Sequence, residues 1–273
     1  MALIELKNVW KGFGNQEVLR GINLTVQEKE TVIILGGSGQ GKSTILRLIL
    51  RLDEPDEGEI LVNNLNITSL KEEELVPVRK WMGMVFQESS LFDSLTVYDN
   101  IAYRMREEGK LSEEEIFEKT KHLLQMVDLK EEDAFKVPSE LSGGMKRRVA
   151  IARGMAGDHR IMLYDEPTAG LDPITASHIT EFIIRLRDME EVTSIIVTQD
   201  LISSFQMVTH CAHKTSTGIQ VKPSSDHTCT KKTRLVILKD GQILAEGDWQ
   251  KLLNSTDPYV QEFLSSLKIL ASH

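Results

Sequence analysis

The sequence lacks the features that mark several common protein classes. No apolar run approaches the roughly 20 residues that span a bilayer, and the N-terminus has no apolar stretch of signal-peptide length. Two cysteines, Cys211 and Cys229, are too few for a disulfide scaffold. Basic residues are not in surplus, because 41 acidic side chains outnumber 32 Lys and Arg and leave a net charge of −9. We therefore expect a cytoplasmic protein that binds no nucleic acid and reaches a membrane only through a partner.

Strand and helix patterns alternate along most of the chain. Strands are predicted at residues 3–9, 22–26, Thr31–Leu35, Ile161–Tyr164 and Ser194–Val197, helices at Lys42–Leu52, Ser112–Val127 and Gly144–Met155, and a hairpin at Val236–Leu238 and Gln242–Leu244 around Asp240-Gly241. Ser112 and Glu115 form the pattern of a capping box. This alternation predicts an α/β protein with a mostly parallel sheet covered on both faces.

One segment, about residues 209–234, does not fit this alternation. It is polar, has no clear period and is longer than the usual connection inside a compact domain. It is therefore either disordered or an inserted element. Two Cys/His pairs, Cys211 with His213 and His227 with Cys229, could bind zinc, and His210 lies beside them. A solvated loop with incidental Cys and His is the preferred interpretation, and a zinc site is the alternative.

A glycine-rich loop follows the apolar strand Thr31–Leu35 and precedes a predicted helix. It reads Gly36-Gly37-Ser38-Gly39-Gln40-Gly41-Lys42-Ser43. Two glycines five residues apart and followed by Lys and Ser are typical of a phosphate-binding loop, whose backbone N–H groups point at the phosphates. The helix start adds the positive end of its dipole. We expect Lys42 to reach the β- and γ-phosphates and Ser43 to bind Mg²⁺.

Two further patterns predict groups that act on a bound nucleotide. The strand Ile161–Tyr164 ends in Asp165 and Glu166, which places two carboxylates at the ligand-binding edge of the sheet. Asp165 is predicted to hold Mg²⁺, and Glu166 to orient and polarise the attacking water. The segment Leu141–Met145 leads into a basic helix and forms a second anion site. Because one nucleotide does not need two such sites from one chain, we expect the second to meet the γ-phosphate held by a partner copy.

Taken in order, these motifs resemble those of ATP-binding-cassette (ABC) ATPases. Leu141–Met145 is similar to the LSGGQ signature, with Met145 in the glutamine position. The resemblance implies ATP and Mg²⁺ as cofactors, and a P-loop NTPase fold with a RecA-like parallel sheet, an antiparallel β subdomain and a helical subdomain. It implies that two copies enclose ATP and that membrane permease subunits bind beside them. The further site residues that it implies are Phe13 on the adenine, Thr44 on the phosphates, Ser142, Gly143 and Gly144 on the partner's ATP, Gln87 at the Mg²⁺ and the catalytic centre, and Asp172 in the loop between the two sites.

Several stretches resemble one subfamily, the ATPases of MCE-type phospholipid transporters of the Gram-negative envelope. They include residues 86–100, Met145 with the basic helix behind it, 171–175 and 255–264. The resemblance implies phospholipid transport and an MCE-domain partner, at the inner membrane through the permease subunits. The alternatives are a polar amino-acid importer ATPase, a soluble ABC protein of translation or DNA repair, and a subunit that binds ATP but hydrolyses it poorly. The last arises from Gln199, which stands where most family members have the catalytic switch histidine.

The predicted domain organisation follows from the same resemblance. The ATPase domain is expected over residues 1–251, with a helical subdomain at about 88–155 and the polar insertion at about 209–234. Residues 252–273 are expected to form a short helical tail.

Overall fold

The computed structural model describes residues 1–157, 159–216, 218–224 and 233–265. The strands are β1 (Ala2–Phe13), β2 (Gln16–Gln27), β3 (Thr31–Leu35), β4 (Glu57–Val62), β5 (Leu65–Asn66), β6 (Met82–Val85), β7 (Ile161–Asp165), β8 (Thr193–Thr198), β9 (His210–Thr215), β10 (Gly218–Pro223), β11 (Thr233–Lys239) and β12 (Gln242–Gly247). The α-helices are α1 (Lys42–Ile49), α2 (Glu72–Arg79), α3 (Val97–Glu108), α4 (Glu113–Met126), α5 (Gly143–Gly154), α6 (Pro173–Met189), α7 (Leu201–Thr209), α8 (Trp249–Leu253) and α9 (Pro258–Phe263). Two 3₁₀ helices lie at Glu131–Phe135 and Pro138–Glu140.

A six-stranded sheet in the order β12-β11-β3-β8-β7-β6 forms the centre of the fold. Adjacent strands of this sheet run parallel, except that β12 pairs antiparallel with β11. A four-stranded sheet, β2-β1-β4-β5, is antiparallel throughout. The prediction of a mixed α/β fold around a parallel sheet is therefore confirmed.

The central sheet separates two hydrophobic cores because side chains alternate across it. In β3, Val32 and Ile34 join a core with α1, α2 and the antiparallel sheet. Ile33 and Leu35 join the other core, which contains residues of α3 to α7. Every residue of β3 is buried, as the continuous apolar run predicts for a strand covered on both faces.

Local signals set most helix boundaries as the sequence predicted, with one difference. At α4, Ser112 Oγ accepts from the Glu115 N–H and Glu115 Oε2 accepts from the Ser112 N–H at 2.8 Å, so the capping box is confirmed. The predicted first helix ran to Leu52, but α1 ends at Ile49. The chain becomes left-handed at Arg51 (φ 53°) and leaves the helix there.

The polar insertion begins as an ordered element. Strands β9 and β10 pair antiparallel with Cys211 opposite Lys222, and they lie beside α6. The described part of this segment is thus an ordered hairpin and not a disordered loop. The buried Arg187 of α6 donates to the His210 carbonyl, and Asp188 accepts from the Ala212 N–H at 2.8 Å, which fixes the hairpin's base. His227 and Cys229 lie outside the described residues, so the zinc site stays an untested alternative to the solvated loop.

The chain between β6 and β7 is mainly helical. Helices α3, α4 and α5 pack against one another there. In the ranges described, no helix combines the length and the apolar character that crossing a membrane requires. The predicted domain and subdomain boundaries stay predictions.

Candidate nucleotide site

The predicted chemical groups meet at one edge of the central sheet. The strands β3, β8, β7 and β6 lie side by side and parallel, so their carboxyl ends share an edge. The glycine-rich loop follows β3 and Gln87 follows β6. Asp165 ends β7, Glu166 comes directly after it, and Gln199 follows β8. Ligands bind in α/β folds at this edge, and the topology alone brings these four segments together.

Two glycines of the loop have no room for a side chain. Gly41 has a left-handed backbone (φ 93°), and a Cβ there would lie 2.6 Å from Leu19 Cδ2. A Cβ on Gly36 would lie 2.6 Å from the Leu238 carbonyl oxygen. The loop therefore passes close to neighbouring chain segments and turns into α1 at a position where glycine is strongly favoured.

Lys42 lies inside the loop that precedes it. Its Nζ donates to the carbonyl oxygens of Gly36 at 2.8 Å and Gly37 at 3.0 Å. The side chain is only 6% exposed and lies 3.4 Å from Glu166 Oε1. The buried ammonium and the buried carboxylate beside it form a charged pair. This pair lies at the N-terminus of α1, where phosphate oxygens are favoured.

Ser43 and Asp165 join the loop to β7. Ser43 Oγ donates to Asp165 Oδ1 at 2.7 Å. Burial raises the pKa of Asp165 above its ordinary value, with the charge of Glu166 acting in the same direction and the Ser43 hydrogen bond opposing it. A hydroxyl and a carboxylate held together in this way are the hard oxygen donors that Mg²⁺ prefers, so both residues fit the predicted metal site.

Glu166 is held through one carboxylate oxygen, Oε2, while Oε1 faces Lys42. Oε2 accepts from Thr198 Oγ1 at 2.9 Å and from the Gln199 N–H at 3.1 Å. Its backbone is left-handed, with φ of 45°, and its N–H donates to the Val197 carbonyl. The conformation is uncommon for a residue with a Cβ. It persists because β8 determines both the backbone and the side chain of Glu166.

A cavity of about 390 Å³ lies above these groups. It is lined by Phe13, Gln16, Val18, Ser38, Gly39, Gly41, Lys42, Ser43, Thr44, Gln87, Glu166 and Gln199. Phe13, at the end of β1, is 49% exposed and presents an aromatic ring at the rim. The cavity thus brings the predicted phosphate-binding loop of one chain together with Phe13, Gln87 and Gln199. Gln40 lines a neighbouring cavity, and its Oε1 accepts from the Asp240 N–H.

The second anion site lies elsewhere. Ser142 caps α5, accepting from the Met145 N–H at 3.3 Å, and lines a different cavity with Gly144 and Thr175. Asp172 caps α6, where its carboxylate accepts from the Ile174 N–H and the Thr175 N–H at 3.1 Å. Neither Ser142 nor Asp172 is among the residues that line the loop cavity.

Three residues of the site were not predicted from the sequence. Thr198 is 1% exposed and donates to Glu166, while Gln16 and Val18 line the cavity from β2. A polar residue directly before Gln199, at the end of an apolar strand, is a signal that could have identified Thr198. No pattern in residues 16–18 indicates that β2 passes beside the loop, because this depends on the register of two sheets.

Comparison with known proteins identifies the family. The family described as "ABC transporter" matches residues 19–169. A dimeric structure of a post-hydrolysis state of the cassette MJ0796 bound to ADP and Pi superposes with a TM-score of 0.75 and 32% identity, over 90% of this chain and 98% of that one.

Curated relatives fall into two groups by coverage. The Arabidopsis thaliana protein TRIGALACTOSYLDIACYLGLYCEROL 3, chloroplastic, is 38% identical over 96% of this chain and 73% of its own length. The intermembrane phospholipid transport ATP-binding protein MlaF of Haemophilus influenzae is 36% identical over 96% of this chain and 90% of its own. The methionine import ATP-binding protein MetN of Legionella pneumophila is 41% identical over 73% of this chain and 58% of its own. The chain belongs to the ABC transporter family, as an ATP-binding subunit that hydrolyses ATP.

Proposed function

We propose that two copies of this chain drive phospholipid transport across a Gram-negative envelope, bound to permease subunits at the cytoplasmic face of the inner membrane. The observation that carries the lipid assignment is coverage. The MlaF similarity extends over 96% of this chain and 90% of that protein, whereas the MetN similarity covers 73% and 58%. The agreement with MlaF therefore includes the C-terminal part of the chain and nearly the whole of both proteins, which the agreement with MetN does not.

The catalytic roles are assigned from the geometry of the loop cavity. Lys42, already at the helix N-terminus, neutralises the β- and γ-phosphates. Glu166 orients the attacking water, because its carboxylate is fixed by Thr198 and the Gln199 N–H and faces the cavity. Ser43, Asp165 and Gln87 would hold Mg²⁺, which would offset the phosphate charge.

The remaining roles concern the two ends of the nucleotide. Phe13 stacks on adenine, and Ser142, Gly143, Gly144 and Asp172 act at the ATP of the partner copy. Separation of the two cavities within one chain supports this assignment. Because γ-phosphate contacts from both copies exist only when the copies meet, ATP favours the closed dimer and hydrolysis releases it.

Purification of the tagged full-length chain from membranes in mild detergent tests the transport assignment. We expect permease subunits, an MCE-domain protein and phospholipid to co-purify. The second candidate is an importer of a polar amino acid, which the local similarity to MetN supports. Recovery of a permease together with a periplasmic binding protein, and without an MCE-domain protein or lipid, would establish the importer instead.

A further inference from the structure

One buried arginine of α5 connects three segments around the nucleotide cavity. Arg147 is 4% exposed. Its guanidinium donates to the carbonyl oxygen of Phe86 at 2.6 Å and to that of Gln87, and it reaches the carbonyl oxygen of Ala169 at 3.5 Å. Phe86 and Gln87 follow β6, and Ala169 lies in the turn after Glu166. The helix that begins at the signature therefore contacts the backbone of both catalytic loops through one side chain.

The charge of Arg147 is held without a carboxylate at contact distance. In the described part of the chain, none of the ion pairs includes Arg147, and its Nε has no hydrogen-bond partner. A buried cation is costly unless its hydrogen bonds are made. The carbonyls of Phe86 and Gln87 are thus the groups in direct contact that compensate the charge, with a further contribution from the charge of Asp165, and any displacement of Gln87 leaves the guanidinium less solvated.

The shape of arginine explains why this residue type suits the position. Its planar fork can bind several carbonyl oxygens at once, whereas a lysine ammonium on a flexible stem offers one compact point charge. Hydrogen bonds from an ionised donor are also stronger than neutral ones. Arg147 lies in the second turn of α5, two residues beyond Met145, so a shift of α5 is passed directly to the backbone of Gln87.

We propose that Arg147 is a positioning residue that fixes Gln87 to the signature helix, so that the approach of a partner's nucleotide at Ser142–Gly144 sets Gln87 in its own chain's site. The inference rests on the role assigned to Gln87 under the proposed function. It adds a route between the two cavities of one chain that uses backbone carbonyls and a single buried side chain.

A second arginine of α5 keeps the neighbouring turn in place. Arg153 donates to the Ser90 carbonyl at 2.8 Å and to the Ser89 carbonyl at 3.2 Å. Ser89 and Ser90 have left-handed backbones, which these bonds help to maintain. A conservative change at Arg147 therefore leaves the turn after Gln87 anchored, and a folded variant is expected.

A double-mutant cycle tests the inference on the complex recovered with the full-length chain. The variants are Arg147→Lys, Gln87→Ala and both together, with Arg147→Gln as a second replacement. Arg104→Lys is the matched control, since Arg104 also donates to two backbone carbonyls, Lys80 at 2.7 Å and Met82 at 3.1 Å, but at the opposite end of β6. The readouts are kcat, KM for ATP, the Mg²⁺ concentration for half-maximal rate, and Tm.

Arg147→Lys is expected to lower kcat about tenfold, the effect of one lost charge-assisted hydrogen bond. It should raise the Mg²⁺ requirement and leave KM for ATP within about twofold. In the Gln87→Ala background it should have no further effect, because the two residues act in series. Arg104→Lys should lower Tm without changing kcat or the Mg²⁺ requirement.

Additive losses in the double variant would overturn the inference, even while the parental complex hydrolyses ATP and the proposed function stands. The inference also fails if both Arg147 variants lose ATP binding together with Tm, since the arginine is then a general structural residue. A neutral Gln87→Ala would remove the assigned role of Gln87 and the inference with it. Absence of ATPase activity in the parental complex would instead contradict the proposed function.

Discussion

The helices α1 and α5 begin in similar sequences but in different surroundings. Each start follows small residues and leaves backbone N–H groups free to bind an anion. At α1, Lys42 is 6% exposed and lies 3.4 Å from Glu166. At α5, Ser142 and Gly143 are exposed, and the adjacent cavity does not include the phosphate loop. One helix start is surrounded by charged and polar groups of its own chain, whereas we propose that the other receives its catalytic groups from a second copy.

The strongest test of this contrast removes the Lys42 ammonium from the site at the start of α1. Lys42→Ala deletes the buried ammonium and leaves Glu166 without its neighbour, so ATP binding should weaken about a hundredfold or more. Equilibrium binding of a fluorescent ATP analogue measures the effect. Lys29→Ala is the control, because Lys29 makes an exposed ion pair with Glu191. Unchanged affinity in Lys42→Ala would show that this helix start is not the phosphate site.

Replacing the carboxylate separates binding from hydrolysis at the same site. The Gln side chain in Glu166→Gln can still accept from Thr198 and the Gln199 N–H but cannot polarise water. We expect turnover to fall about a hundredfold or more, with ATP affinity retained. A closed dimer should accumulate with ATP and be visible by size-exclusion chromatography. Hydrolysis at the parental rate would refute the role assigned to Glu166.

The site at the start of α1 was largely predictable from the sequence, because short local sequence patterns determine most of its parts. A glycine-rich loop between a buried strand and a helix, and acids at the end of a second strand, place Lys42, Ser43 and Asp165 at one sheet edge. The left-handed backbone of Glu166 was not predictable, since it depends on hydrogen bonds to the neighbouring strand β8. The same holds for Gln16 and Val18, which reach the cavity from another sheet.

The site at the start of α5 can be altered at Gly143 without disturbing the fold of the monomer. A Cβ added at Gly143 meets no atom within 4 Å, whereas one at Gly144 lies 2.6 Å from Thr175 Cγ2. In the Glu166→Gln background, Gly143→Ala should keep the parental Tm but weaken ATP-dependent dimerisation about tenfold, since the methyl group displaces the partner's phosphate from the N–H groups. Gly144→Ala should also lower Tm. Dimerisation of parental strength in Gly143→Ala would contradict the assignment of this helix start to the partner's ATP.

The insertion shows where sequence patterns stop being informative. Its polarity predicted either disorder or an inserted element, and the structure shows β9 and β10 paired over residues 210–215 and 218–223 beside α6. The contacts that organise the base come from Arg187 and Asp188, more than twenty residues earlier in the chain. The hydrophobic periodicity of the segment cannot reveal such partners, because they lie on another element, α6.

The smallest expected effect concerns Gln199, which lies at the position where the family resemblance predicts the switch histidine. Gln199 lines the loop cavity with an exposed side chain, and its N–H holds Glu166. The side chain can donate and accept hydrogen bonds but carries no charge and transfers no proton. Positioning and electrostatic stabilisation dominate phosphoryl transfer, so we expect a working but slow ATPase. Gln199→His should raise kcat about threefold to tenfold, because a general acid–base or charged donor is restored, with little change in ATP affinity.

The pH profile distinguishes this gain from a general improvement in folding. Histidine titrates at about pH 6.5 when unperturbed, whereas glutamine does not titrate. The kcat of Gln199→His should therefore acquire a dependence on pH between about 5.5 and 7.5 that the parental complex lacks, and Gln199→Asn should show neither the gain nor the pH dependence. The Glu166→Gln variant sets the background rate for the assay. Parental activity no higher than that background, restored by Gln199→His, would mean that the chain as it stands binds ATP without turning it over.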